Sequence, residues 1–405
     1  MLRNKNLWVL LIGELVAGLG LWLGIIGNLE FMQERVPSDF MKSLILAAGL
    51  LAGVAISPFA GRMVDQHPKK TIMLYSGAVR CLSVLVMLVA IHYNSVWWMI
   101  IFLVFVQLSA AFYFPAIQAA IPLVAKEKDL LQINGIFMNV STISRILGTA
   151  LAGILLVLIS LSLLYTLSLI AYLLLFIMTC FLSIEEPLRE KPTHCNPKRD
   201  TGFKEVFPLL KTLPIVTMTL ILSLIPLFFI GGFNLIVINI SEIQDSSAIK
   251  GLIYTAEGIA FMVGAFFVKQ ISRKQSPYTI LFAFSTTIGL AQLLLYFAEV
   301  PLLSLIAFIL FGFSVGCFFP TASTIFQTRV PKDFHGRLFS FRNMMDRLIF
   351  QVVLIMTGFL LDTVGLPYMT VIFGALSLTM TGLFYIKFKD IKNADVSTNE
   401  DIQTV

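Results

Sequence analysis

Twelve apolar runs, each about the length of a bilayer crossing, dominate this sequence. A helix needs about 20 apolar residues to cross the ~30 Å hydrocarbon core. Runs of that size fall at 7–29, 43–62, 70–92, 95–118, 133–158 and 161–184, then at 213–238, 250–270, 277–297, 301–326, 341–361 and 366–387. Hydrocarbon offers no water to backbone N–H and C=O groups, so a chain of such runs must cross as helices. Composition agrees, with 58% hydrophobic and only 13% charged residues in 405, where a soluble domain carries about 25% charged. No soluble globe could hide that apolar surface behind so few charges. A soluble enzyme, a nucleic-acid binder and a disordered chain are excluded.

The basic residues test the count of spans independently, because cytoplasmic loops collect Lys and Arg. Taking the connecting segments alternately from the N-terminus, one set holds 22 of the 29 Lys and Arg. The opposite set holds three, Arg35, Lys42 and Lys250. The remaining four, Arg80, Arg145, Arg342 and Arg347, lie within or at the start of spans. A missed helix would mix the two sets beyond the error, and the bias stays in phase to the end. The expectation is an all-α membrane protein with twelve transmembrane helices, multi-pass in the cytoplasmic (plasma) membrane, both termini cytoplasmic. The net charge of +6 is thus an orientation signal, with no nucleic acid implied. Trp97 and Trp98 at the outer start of span 4 fit an interfacial belt. Arg3 and Lys5 precede the first run with no small-residue cleavage site, so it reads as a retained span.

The longest charged connector divides the spans six and six. The expected organisation is a six-helix bundle at 1–184, a cytoplasmic linker at 185–212, a second bundle at 213–390 and a cytoplasmic tail at 391–405. The halves also repeat at an offset near 204. Lys69-Lys70 matches Arg273-Lys274, Phe114-Pro115 matches Phe319-Pro320, and Phe137-Met138-Asn139 matches Phe341-Arg342-Asn343. Three matches in register at equivalent places in the topology indicate two parallel-related six-helix bundles. Paired six-span repeats around a midplane site are a transporter plan.

The loop Gly61-Arg-Met-Val-Asp65-Gln-His-Pro-Lys69-Lys70 resembles motif A of the major facilitator superfamily, with Pro68 where the motif usually has Gly. The stretch Phe114-Pro-Ala-Ile-Gln-Ala-Ala-Ile-Pro122, followed by Lys126, Asp129, Asn134 and Gly148, is similar to the macrolide- and siderophore-exporting branch of the drug:proton antiporters. Two marks depart from the exporters' pattern. Gly148-Thr-Ala-Leu-Ala-Gly153 carries Thr for Pro and Ala for Gly, and Gln107 stands as the polar residue of span 4 where many exporters have Arg. The resemblance implies the major facilitator fold, alternating access, and a monomer as the usual state. It also implies gating roles for Gly61, Asp65, Lys69 and Lys70, with Asp65 against the start of span 11. Lys269 occupies the matching acidic position of the second half, so the counterpart lock is expected to be lost.

Charges inside the bilayer cost about 2.5–3.5 kcal/mol each and are kept for a use. Glu14 lies about 7 residues, roughly 10 Å, into span 1 and is the candidate proton carrier, or else a packing hydrogen bond. Arg145 and Glu257 are candidates for coupling, substrate binding or pairing between helices. Arg80 is expected to snorkel or pack, since third spans are peripheral in the superfamily. Arg342 and Asp346 share a helical face and, with Arg347, form a candidate inner gate or a plain ion pair. Span 7 carries Pro226 and Gly231-Gly232 beside Phe228, Phe229 and Asn234, a broken aromatic segment where substrate could touch. Gly49, Gly53, Ser57 and Gly61 in span 2, and Ser144, Gly148 and Ala152 in span 5, form small-residue stripes suited to close helix contact.

The four cysteines (Cys81, Cys180, Cys195, Cys317) lack metal or disulfide spacing, and no histidine pairs with a carboxylate at ligand spacing. No metal, cofactor, ATP site or catalytic constellation is expected, and no enzyme. The function expected is proton-coupled efflux of hydrophobic or amphipathic small molecules such as antibiotics, with the bilayer and protons as partners. Within transport, the alternatives are export of a siderophore, lysophospholipid or peptide, or import of a metabolite. Outside transport, the alternative is a membrane sensor, which usually adds a soluble domain that this chain does not show.

Overall fold

The computed structural model describes residues 4–124, 130–184, 210–330 and 335–403, and every regular element among them is helical. Spans 1 to 6 are the helices Lys5–Arg35, Asp39–Gln66, Lys69–His92, Val96–Val124, Leu130–Leu158 and Leu161–Cys180. Side-chain caps start several of them by taking up orphan N–H groups. Asn4 accepts from Asn6 and Leu7, Ser38 from Met41 and Ser160 from Leu163. The connections are tight. Spans 2 and 3 are separated by His67 and Pro68 alone, and Pro68 sits at φ −57°. That is the angle the pyrrolidine ring imposes, so this loop has no need of the motif's usual Gly.

Span 7 is broken, as its prolines and glycines predict. It runs Pro214–Leu222, Leu224–Ile230 and Phe233–Ile243. Pro226 has no N–H to give to the preceding turn, and Gly231-Gly232 form the second interruption. Spans 8, 9 and 10 are Ala248–Ile271, Pro277–Leu294 and Pro301–Arg329. The last element, His335–Gln403, turns at Gly365, whose φ of +77° belongs to glycine. Its apolar stretch Phe341–Lys387 has 47 residues, about 70 Å at 1.5 Å per residue. That is two crossings of a ~30 Å core. Eleven long apolar helices among the described residues are therefore twelve spans.

The chain divides into two units, Met1–Cys195 with Val237–Thr255, and Asn196–Ile236 with Ala256–Val405. In the first, span 1 packs on spans 5 and 6, span 3 on spans 4 and 6, and span 2 on span 4. Leu7, Leu10 and Leu11 of span 1 join Tyr113, Ala116 and Ile117 of span 4 and Leu175 of span 6 in one apolar core. Lipid removes the hydrophobic drive between helices, so close van der Waals fit must hold them. Small residues permit it. Ser144 fills the space beside Gly18, Trp22 lies against Gly148, and Leu103 and Gln107 rest on Gly49 and Gly53. In the second unit, Phe229 stacks on Phe311 of span 10 with centroids 3.9 Å apart. Gly231 and Gly232 take Val353 and Thr357 of span 11 against their backbone. Large apolar side chains such as Leu82, Ile154, Val157 and Phe266 stay exposed, as lipid-facing surface requires.

Candidate functional site

Span 1 presents one stripe to the interior of its unit, Leu7, Leu10, Leu11, Glu14, Ala17 and Gly18. The spacing of three and four residues that makes those leucines core also carries Glu14 inward. Its carboxylate is 6% exposed. Ser141 of span 5 hydrogen bonds to it, and the charge acting on it is that of Arg80 in span 3. Arg80 does not snorkel. It is 3% exposed, its Nε donates to Ser109 Oγ at 3.2 Å, and Ser109 donates to the Ser76 carbonyl at 2.8 Å. The guanidinium lies 4.4 Å from the Tyr113 ring centre and 5.6 Å from that of Tyr172.

The other candidates are distributed along the helices. Arg145 lies half-buried on span 5 with its guanidinium 6.0 Å from the Trp22 ring. Gln107 is half-buried, its backbone the surface on which Gly53 rests. Glu257 is buried on span 8, where Gly312 of span 10 packs against its carbonyl. Asn234 is half-buried just after the second break of span 7. The aromatic residues of that break are consumed by packing. Phe229 is sandwiched with Phe308, Phe311 and Phe233, and Phe228 stacks on Phe373. Arg342 and Asp346 pair at 3.6 Å, with the guanidinium 4.9 Å from the Phe326 ring.

In the motif A loop, Lys69 is buried and donates to the His67 carbonyl at 3.1 Å. Lys70 donates to the Cys180 carbonyl at the end of span 6, at 2.8 Å. The side chain of Asp65 lies outside the described residues, as do Lys126, Asp129 and the 185–209 part of the expected linker. Gly61 has no atom within 4 Å of where a Cβ would stand. Gly61→Ala is therefore expected to leave stability unchanged or to raise it by at most about 0.5–1 kcal/mol, so that the thermal midpoint read by differential scanning fluorimetry stays level or rises slightly.

A second polar cluster went unforeseen. It gathers the end of span 1, the start of span 2, the end of span 7 and the start of span 8, all within the first unit. Lys42, 1% exposed, bridges Asp39 at 2.9 Å and Glu242 at 3.2 Å, and Asn239 donates to Asp39 at 2.9 Å. Lys250, 0% exposed, bridges Glu30 at 2.6 Å and donates to Ser241 at 2.8 Å, and Ser247 also donates to Glu30. A signal for them existed. Lys42 and Lys250 are two of the three basic residues that break the charge bias of the loops, and a buried partner explains why they can.

Comparisons with known proteins agree with the all-helical fold. The family model described as Major Facilitator Superfamily matches residues 10–350. The "Uncharacterized MFS-type transporter YfiS" of Bacillus subtilis is 24% identical over 96% of this chain and 94% of its own. "Macrolide efflux protein A" of Streptococcus pyogenes is 22% identical over 85% of this chain and 87% of its own. Among solved structures, the nucleoside transporter NupG aligns with a TM-score of 0.78 at 14% identity, covering 95% of this chain and all of NupG. A bacterial homologue of the iron transporter ferroportin, in its inward-facing state, aligns at 0.72 and 14%, covering 95% and 99%. These structural likenesses concern the fold alone.

Proposed function

Because this chain belongs to the major facilitator superfamily, it is a membrane transporter of a small molecule, and we propose that it exports an amphipathic drug-like compound in exchange for protons. The observation that carries the exchange is Glu14, a carboxylate buried on the packed stripe of span 1 with Ser141 and Arg80 as its partners. Carboxylates held inside a span serve as proton relays in pumps and transporters. The likeness to macrolide efflux proteins over most of the chain supports a bulky amphipathic substrate. The charge bias of the loops supports insertion in the cytoplasmic membrane with both termini inside.

Alternating access requires ends that close and reopen. The Lys42 and Lys250 cluster supports a latch at the outer ends of spans 1, 2, 7 and 8, since those ends carry the fewest loop charges. Arg342 with Asp346, and the motif A lysines, are the corresponding inner elements.

Glu14→Gln tests the coupling. Vesicles loaded with a panel of macrolides and cationic dyes would be given an imposed pH gradient, and uphill drug movement followed. Wild-type protein is expected to accumulate drug against its gradient. The variant is expected to lose at least about 90% of that accumulation, as removal of a proton carrier worth a tenfold or larger factor implies, while keeping downhill exchange. Undiminished uphill movement in the variant would remove Glu14 from the mechanism.

A further inference from the structure

Spans 3, 4, 5 and 6 contain no Asp or Glu, and Glu14 is the acidic residue of span 1 furthest from its ends. Arg80 nevertheless carries a permanent charge into the middle of this bundle. A guanidinium has five N–H donors and does not lose its proton in a protein. A charge buried without a counter-charge costs several kcal/mol. The neutral neighbours of Arg80, the Ser109 hydroxyl and the faces of Tyr113 and Tyr172, orient it without balancing it. The anion available at this depth is Glu14.

We propose that Arg80 is the positioning residue and counter-charge of Glu14, so that span 3 helps to set when the span 1 carboxylate takes and releases its proton. This rests on the reading of Glu14 as proton carrier. Span 5 gives Glu14 Ser141 and span 3 gives it Arg80, while Tyr113 of span 4 and Tyr172 of span 6 present their rings to that guanidinium. Away from the ends of these spans, Arg145 is the other cation. Its guanidinium lies over Trp22, two helical turns along span 1 from Glu14.

The Tyr113 hydroxyl sharpens the assignment. Tyr113 is 1% exposed and its hydroxyl has no hydrogen-bond partner among the described residues. A buried hydroxyl left unsatisfied is costly, and this one stands where Glu14 and Arg80 both act on it. Tyr113 shares the apolar core with Leu10, Leu11 and Ala17 of span 1, and its ring centre lies 4.4 Å from the guanidinium. Ser109 completes the arrangement one helical turn before Tyr113 by fixing the guanidinium to the backbone of span 3. Span 4 thus supplies the orientation and span 3 the charge.

The test reads Glu14 directly and needs no transport substrate. Full-length protein in lipid nanodiscs would be titrated by infrared spectroscopy, following the protonated-carboxyl C=O stretch that Glu14→Gln abolishes. A nearby cation favours the charged form, so in Arg80→Gln the midpoint of that band is expected to move to higher pH by about one unit or more. Arg80→Lys, which keeps the charge, is expected to move it by less than half as much. Should Arg80→Gln not fold, Ser109→Ala carries the test, because it frees the guanidinium without removing it. A smaller shift in the same direction is expected there. An unchanged midpoint in Arg80→Gln, or in Ser109→Ala when only that variant folds, would reduce Arg80 to packing and overturn the proposal. A Glu14 band that never titrates in wild-type protein would instead overturn the proton-carrier reading beneath it.

Discussion

Replacing Lys250 with Met is expected to destabilise the protein by about 3 kcal/mol, the low end for breaking a buried ion pair. The ammonium group is fully buried and holds Glu30 at 2.6 Å and Ser241 at 2.8 Å. Met fills a similar volume but leaves the Glu30 carboxylate without its cation. The Glu30 side chain is still 17% exposed, so water recovers part of the loss, and the low end of the range applies. Ser247 continues to donate to Glu30, which softens the loss further. Chemical unfolding in bicelles would read the difference. The partner variant makes the argument specific. Adding Glu30→Gln to Lys250→Met is expected to recover about 1–2 kcal/mol, because the stranded charge is gone. Two losses that simply add would mean that the pair is not coupled. Lys42→Met is expected to do at least as much damage, since Asp39 and Glu242 both lose their cation.

Gly251→Val is expected to have the largest steric effect, an overpacking cost of about 3 kcal/mol or more that leaves little folded protein on size-exclusion chromatography. A Cβ at Gly251 would stand 2.5 Å from both the Gly153 Cα and the Thr149 carbonyl oxygen. Both obstacles are backbone, so neither can turn away as a side chain would. The hydroxyls of Thr149 and Thr255 meet at 3.2 Å at the same crossing, which keeps the start of span 8 against span 5. Gly153→Val faces the reciprocal obstacle, the Gly251 Cα at 2.8 Å. Gly61→Ala supplies the contrast, because that site is open. The difference between these glycines lies wholly in what faces them.

Much of this was legible along the chain. Hydrocarbon demands helices, and the length of each apolar run and the alternation of Lys and Arg gave twelve spans. The same local rules marked the break in span 7, because Pro and Gly act on their own backbone. Glu14 was legible as well, since a carboxylate in an apolar span stands out against its neighbours. Arg80 was visible, with snorkelling and packing both left open. Its side chain could reach the surface or the core, and only the packing of spans 1, 3, 4 and 6 decides which. For Phe228 and Phe229 only the structure shows the stacking on Phe373 and Phe311.

The cluster around Lys42 and Lys250 marks the boundary between the two kinds of knowledge. Asp39 and Lys42 lie 200 positions from Asn239 and Glu242, and Glu30 lies 220 from Lys250. No periodicity reaches that far. By itself the sequence determined the solvent, the helices, their number and their expected orientation, because burial in lipid and backbone hydrogen bonding act on each segment alone. The tertiary structure decided which charges find partners. An ion pair needs two side chains within about 4 Å, and only the packed fold brings such distant residues together.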